Sequence, residues 1–121
     1  YSSESDGVHR TMMGVSPAEM ARAILDAGAT VIGANCSFGP KEMVPVVGEL
    51  RAAAPDVPIL VNPNAGQPVN TEEGVVYPET PEGFAAYTEP FFNAGANIVG
   101  GCCGTTPEHI KAVRAKAAAL R

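Results

Sequence analysis

Short apolar runs alternate with helix-like segments along most of this chain. Three runs predict buried strands, because they are apolar throughout instead of alternating with polar residues. They cover residues 29–36 ("ATVIGANC"), about 57–61 ("VPILV") and 96–103 ("ANIVGGCC"). The stretch from roughly residue 62 to 79 is rich in Pro, Gly and Asn. It predicts a long loop, which in a compact domain is usually functional or disordered.

The first predicted helix lies in "VSPAEMARAILDAG", ahead of the first strand. Ser16, Pro17 and Glu19 have the spacing of a capping box with proline at the first helical position. Gly28 follows the last turn, where a glycine commonly ends a helix. A capped helix is therefore expected to lead into the first strand.

Three more helices follow the three strands. The second spans about residues 39–54, where Pro45 predicts a kink or a delayed start. The third begins at Thr80-Pro81, and Pro90 interrupts its regularity. The fourth begins at Thr106-Pro107. Its buried face is predicted from an apolar stripe of Ile110, Val113, Ala117 and Leu120.

The order of elements is one helix followed by three strand–helix units. Strands joined in this way are parallel, as in an open doubly wound sheet or in part of a (β/α)8 TIM barrel. In both architectures ligands gather at the carboxyl ends of the strands. The expected fold class is therefore α/β, with any chemistry at one edge of the sheet.

Composition narrows the possible partners. The 121 residues carry a net charge of -5 without a basic cluster, which argues against nucleic acid. No apolar run approaches the roughly 18 residues of a membrane span. The three cysteines suit a reducing, cytoplasmic location better than a secreted disulfide framework. Because the chain begins at Tyr1, we expect a processed or truncated product of a longer protein.

The segment "GGCCGTTPEHI" places Cys102 and Cys103 side by side. A disulfide between neighbours would be strained, because consecutive Cα atoms lie about 3.8 Å apart and a relaxed disulfide needs at least roughly 4.4 Å. Two inert buried thiols are a second interpretation. A metal site is a third, and it requires a further ligand from elsewhere in the chain.

Cys36 supplies that further ligand if the strands are parallel. Cys36 ends the first strand and the Cys102-Cys103 pair ends the third, so the three sulfurs are expected at the same edge of the sheet. Adjacent strand residues point to opposite faces, so both thiols reach one ion only if the backbone bends. The flanking glycines permit such a bend: Gly100, Gly101 and Gly104.

Three thiolates on one divalent ion favour Zn²⁺. No fourth cysteine exists, and we expect His9 to be solvated and His109 to be a surface or capping residue. Three protein ligands leave a coordination position open, as in catalytic zinc sites. A site this rich in sulfur is suited to binding another thiol as a reactive thiolate, which attacks soft electrophiles such as methyl groups.

The motifs "GANCSFGP", "NPNAGQP" and "NIVGGCCGTTPEHI" together resemble the zinc-dependent homocysteine S-methyltransferase family. The resemblance implies a (β/α)8 barrel in which Cys36, Cys102 and Cys103 are the zinc ligands, at the ends of strands six and eight. It also implies that homocysteine binds through its sulfur and attacks a methyl donor, giving methionine. Asn64 is then a candidate for the open zinc position, or a turn residue, and Asn35 a candidate to orient a ligand.

The resemblance covers about three strand–helix units of the eight that the family barrel needs. Residues 1–121 are therefore expected to be a partial homocysteine-binding barrel domain, with the N-terminal half of the barrel, or a longer parent chain, as its partner. Alone they are expected to be inactive. The methyl donor is open, with betaine, S-methylmethionine, a methylated corrinoid and a folate among the candidates.

Two other functions fit the same cysteines. A non-catalytic zinc-binding module would have a fourth protein ligand that closes the metal site. A thiol redox protein would interconvert a dithiol and a disulfide at Cys102 and Cys103.

Overall fold

The computed structural model describes residues 1–3 and 7–120 of the chain. Five helices and seven short strands follow one another along these residues. The helices are α1 Pro17–Asp26, α2 Pro40–Ala53, α3 Pro81–Ala85, α4 Thr88–Ala94 and α5 Pro107–Ala119. The strands are β1 Ser2–Ser3, β2 His9–Arg10, β3 Ile32–Asn35, β4 Ile59–Asn62, β5 Val69–Thr71, β6 Gly74–Val76 and β7 Ile98–Val99. Within this described part, every helix is too short or too polar to cross a lipid bilayer.

Three parallel strands form the central sheet in the order β3-β4-β7. Ile32 of β3 is in register with Ile59, and Leu60 of β4 is in register with Ile98. The predicted α/β class with a parallel sheet is confirmed. The strands themselves are shorter than predicted, because the apolar runs continue into the turns that enter and leave the sheet.

The first helix begins as the sequence predicts. The Ser16 hydroxyl accepts a hydrogen bond from the Glu19 N–H at 3.2 Å, and the Glu19 carboxylate accepts one from the Ser16 N–H at 2.9 Å. The capping box is therefore complete, with Pro17 at the first helical position. Gly28 has a φ of 100°, so the chain turns there in a conformation that favours glycine.

The prediction of one continuous third helix is wrong, because the segment that begins at Pro81 forms two helices. α3 ends at Ala85, and α4 starts at Thr88 after a turn at residues 86–87. Pro90 is the third residue of α4, where a backbone N–H has no partner inside the helix, so proline is tolerated there. Pro45 likewise does not delay α2, which begins at Pro40.

The predicted loop at residues 62–79 contains a β-hairpin that the sequence pattern did not indicate. Its strands β5 and β6 are antiparallel and wholly exposed. Residues 65–79, called here the hairpin excursion, leave the sheet and return to it. At the base of this excursion, the Glu79 N–H donates to the Ala65 carbonyl at 2.8 Å. The hairpin is thus closed against the end of β4, beside the carboxyl edge of the sheet.

Two apolar clusters hold the elements together. The larger joins α1, α2 and α4 to the sheet: Ala21, Ile32, Met43, Val46, Val47, Leu50, Ala54, Ile59, Val61, Phe91 and Ala96. The smaller lies between α3 and α5: Ala65, Phe84, Ala85 and Val113. The predicted stripe of α5 is only partly right, because Ile110 and Leu120 are exposed while Val113 and His109 are buried.

Arg51 joins the amino-terminal side of the sheet to two helix ends. Its guanidinium donates to the carbonyls of the α2 end, at Ala54, Pro55 and Val57, over 2.8–3.0 Å. It also donates to the Gly95 carbonyl at 2.7 Å. A cation at these helix carboxyl termini also interacts favourably with the helix dipoles.

We expect Arg51→Met to lower the free energy of unfolding by about 3 kcal/mol, since hydrogen bonds from a charged donor contribute about 1.5–3 kcal/mol each and water replaces part of them. Arg51→Lys keeps the charge but not the fork of donors, so it should lose roughly half as much. Urea denaturation with an unchanged m-value measures both. A loss below about 1 kcal/mol for Arg51→Met would contradict this role.

Candidate metal centre

The three cysteine sulfurs meet at the carboxyl edge of the sheet. All three lie within 4.8 Å of one another. The Cys36 and Cys103 sulfurs are 3.6 Å apart, and those of Cys102 and Cys103 are 3.8 Å apart. The predicted convergence of residues 66 positions apart is therefore confirmed, and all three cysteines are free thiols. Their binding of a metal stays a prediction.

The spacing of the sulfurs matches a tetrahedral zinc site. With zinc–sulfur bonds of about 2.3 Å, two sulfurs at tetrahedral corners lie about 3.8 Å apart. The two sulfur–sulfur distances to Cys103 are close to this value. Across residues 1–3 and 7–120, no histidine, aspartate or glutamate joins the group, so three protein ligands are available.

Cys36 is presented by an unusual backbone conformation. Cys36 and Ser37 have φ values of 60° and 65°, in the left-handed region that residues other than glycine rarely adopt. The Cys36 N–H donates to the Asn62 carbonyl of β4 at 3.0 Å, and its carbonyl accepts from Phe38. The strand thus ends in a tight turn that directs the Cys36 sulfur toward the other two.

The Cys102-Cys103 pair is held by bonds on both sides. The Cys102 N–H donates to the Pro63 carbonyl at 2.8 Å, and the Cys102 carbonyl accepts from the Thr105 hydroxyl at 2.7 Å. Gly104 has a φ of 79°, so the bend that the sequence predicted occurs there. Gly100 and Gly101 serve a different purpose than predicted.

Gly100 and Gly101 must be glycines because neighbouring side chains lie very close to their backbone, and not because the backbone is left-handed there. A methyl group on Gly100 would overlap the Asn62 side chain, and one on Gly101 would come within 2.6–2.9 Å of the Thr105 side chain. At Gly100 the turn after β7 therefore packs against the end of β4 more tightly than a side chain would allow, whereas Gly101 packs against Thr105 within the turn itself.

Asn64 links the cysteines of the two outer strands. Its side-chain oxygen accepts from the Cys103 N–H at 3.1 Å, and its side chain also contributes to the lowered pKa of Cys36. Its own N–H donates to the Phe38 carbonyl at 2.9 Å. The side chain is 4% exposed, so these bonds are shielded from competing water. Its proposed role at the open metal position stays a prediction.

The thiols differ in their affinity for protons. The pKa of Cys36 is lowered, first by the Ser37 N–H and then by hydrogen bonds from the Cys103 and Cys102 thiols. The pKa of Cys103 is raised, mainly because its proton is shared with Cys36 and Cys102. Of Cys36 and Cys103, Cys36 is therefore the thiol that loses its proton more easily.

Neither histidine lies in the sulfur cluster. His109 is 6% exposed, with Nδ1 at 2.9 Å from the Thr106 hydroxyl and Nε2 at 2.8 Å from the Glu79 carbonyl. The prediction of a capping role is thus correct and that of a surface position is wrong. His9 is buried, not solvated, because Nδ1 hydrogen-bonds to Glu49 and its ring packs edge-on against Phe38.

Asn35 and Tyr77 lie near the sulfur cluster, but the sequence indicated only Asn35 as a candidate for the site. Asn35, the last residue of β3, is exposed, and its predicted orienting role stays a prediction. Tyr77 was missed, because it follows the hairpin in what looked like an irregular loop. Desolvation and the charge and hydrogen bonding of Cys103 raise the pKa of Tyr77, so its phenol stays protonated beside the sulfurs.

Known proteins resemble this chain over most of its length. Residues 2–117 match the family described as Homocysteine S-methyltransferase. The chain is 42% identical over 97 residues to the methionine synthase of Mycobacterium leprae (strain TN), which covers 79% of this chain. It is 41% identical over 100 residues, or 82% of the chain, to the methionine synthase of Mycobacterium tuberculosis (strain ATCC 25618 / H37Rv). The chain spans about 8% of the length of each of these relatives.

Proposed function

This chain belongs to the homocysteine S-methyltransferase family, and from that premise we propose that it provides the thiol-binding site at which homocysteine receives a methyl group to give methionine. The observation that carries the proposal is the cluster of Cys36, Cys102 and Cys103, with all sulfurs within 4.8 Å. Three cysteines with this spacing have the donor set and the geometry for zinc.

The chain's own residues prepare this site. Cys36, Cys102 and Cys103 would hold the ion. Backbone hydrogen bonds to Asn62, Pro63 and Ala65, at and just after the end of β4, keep the three cysteines in place. Bound zinc would favour the thiolate form of homocysteine at neutral pH. Asn64 accepts from the Cys103 N–H and contributes to the lowered pKa of Cys36, so it would orient these ligands from within the protein.

We also propose that the β3-β4-β7 sheet is part of a (β/α)8 barrel. Its strands are parallel, its helices lie between consecutive strands, and the cysteines lie at the carboxyl ends. Among the described residues, β3 and β7 each pair on one side only. Val31 and Ile98 beside these edges are nearly half exposed, at 46% and 47%, as expected where further strands would pack. Homocysteine and the methyl donor would meet above this rim.

Homocysteine binding tests the proposal directly. Zinc-loaded protein should contain about one zinc per chain, and X-ray absorption should show three sulfurs at roughly 2.3 Å. Homocysteine at high concentration should raise the sulfur count to four and release about one proton near neutral pH.

Homoserine, which carries a hydroxyl in place of the thiol, is the matched control and should leave the sulfur count at three. A metal shell that does not change with homocysteine would favour the closed, non-catalytic zinc module. A metal-free protein that cycles between dithiol and disulfide would favour the redox function.

A further inference from the structure

Tyr77 lies against the cysteine pair, although its position in the chain gave no sign of it. Its ring occupies the space beside Gly104, the residue that directly follows Cys103. A methyl group on Gly104 would overlap the Tyr77 Cβ and ring. The absence of a side chain at Gly104 therefore lets the aromatic ring pack directly on the backbone that carries Cys103.

The position of Tyr77 is fixed by the base of the hairpin. The next two residues, Pro78 and Glu79, close on the end of β4: Pro78 packs on Gly66, and the Glu79 N–H donates to the Ala65 carbonyl at 2.8 Å. The Glu79 carbonyl accepts from the buried His109 at 2.8 Å. The ring of Tyr77 itself packs on the cluster that contains Phe84 and Val113. Such anchoring holds the phenol in place before any ligand arrives.

The phenol of Tyr77 lies near the sulfurs, because its ring packs on the residue that follows Cys103. Desolvation raises the pKa of Tyr77, and so do Cys103 and, less strongly, Cys36 and Cys102. Three thiolates around one divalent cation carry a net charge of −1. A donor that points at one of these sulfurs stabilises the excess negative charge, as outer hydrogen bonds do at other metal sites.

We propose that Tyr77 is a positioning residue of the three-cysteine site, whose ring supports the Cys103-Gly104 backbone and whose hydroxyl donates a hydrogen bond to the Cys103 sulfur. The inference rests on the proposed zinc site. It adds a residue from the hairpin excursion to a site otherwise built from the three sheet strands. It also assigns a purpose to the excursion, which would deliver this one side chain to the metal centre.

Tyr77→Phe tests the hydroxyl without removing the ring. Competition with a chromophoric chelator should show zinc affinity about 10-fold lower than in the unchanged protein, at the lower end of the 10–100-fold range for outer hydrogen-bond partners. In the cobalt(II)-loaded variant, the sulfur-to-metal charge-transfer band should move to longer wavelength, because the sulfur lone pairs lose a donor. Tyr77→Ala also removes the ring and should weaken zinc binding further.

Tyr87→Phe is the matched control, because Tyr87 packs against the larger apolar cluster. It should leave both zinc affinity and the cobalt spectrum unchanged. Zinc affinity within about twofold of the unchanged protein in Tyr77→Phe, or an equal loss in Tyr87→Phe, would overturn the role of Tyr77 and leave the proposed function intact. Failure of the unchanged protein to bind zinc would instead refute the proposed function itself.

Discussion

Replacing Cys36 by serine is expected to weaken zinc binding by about 10²–10³-fold. Structural zinc sites with four ligands bind with roughly 10–16 kcal/mol, or about 2.5–4 kcal/mol for each ligand. A serine hydroxyl stays protonated near neutral pH and supplies little of this. Cys102→Ser and Cys103→Ser should show losses of the same order, and competition with a chelator measures all three.

Cys36→Ser is the most informative of these variants, because Cys36 comes from a different strand than the other two cysteines. Thermal unfolding in the presence of chelator is its control: without metal, the variant and the unchanged protein should unfold at similar temperatures. Full zinc retention in Cys36→Ser would show that Cys36 is not a ligand and would remove the convergence of the outer strands as the basis of the site.

Replacing Asn64 by alanine is expected to have the second largest effect, on both metal affinity and stability. The Cys103 N–H would lose its acceptor in a buried position, which should lower the free energy of unfolding by about 1–3 kcal/mol. Cys36 would at the same time lose the contribution of the Asn64 side chain to its lowered pKa. Zinc affinity should fall by about 10–100-fold, as is typical when a partner of metal ligands is removed.

Asn70→Ala provides the same chemical change on the exposed hairpin, and it should alter neither property. Chelator competition and urea denaturation are the two measurements. If Asn64→Ala destabilises the protein but leaves zinc affinity within about twofold, Asn64 is only the turn residue that the sequence also allowed.

Local signals in the sequence determined the three sheet strands and their order along the chain, although they indicated neither the β5-β6 hairpin nor the break between α3 and α4. Ser16, Pro17 and Glu19 lie within one turn of each other, so the start of α1 could be read without knowing anything else about the chain. The continuous apolar runs indicated parallel strands, and parallel strands put their carboxyl ends at one edge. That rule alone was enough to bring Cys36 to the Cys102-Cys103 pair.

Only the tertiary structure decided how the site is assembled. The bond between Asn64 and Cys103 joins residues 39 positions apart, and the contact between Tyr77 and Gly104 depends on how the hairpin closes. No local pattern encodes such contacts, because each depends on where two separate segments lie after folding. The same holds for the burial of His9 against Glu49 and Phe38.

The left-handed backbone at Cys36 shows which features of the site the sequence determines and which depend on tertiary packing. The sequence placed a cysteine at a strand end, but neither Cys36 nor Ser37 favours a positive φ. Hydrogen bonds of Cys36 to Asn62 and Phe38 hold the turn in place and thereby oppose its intrinsic cost. The sequence thus determined which sulfurs meet, whereas packing between β3, β4 and the turn after β7 determined the geometry in which they meet.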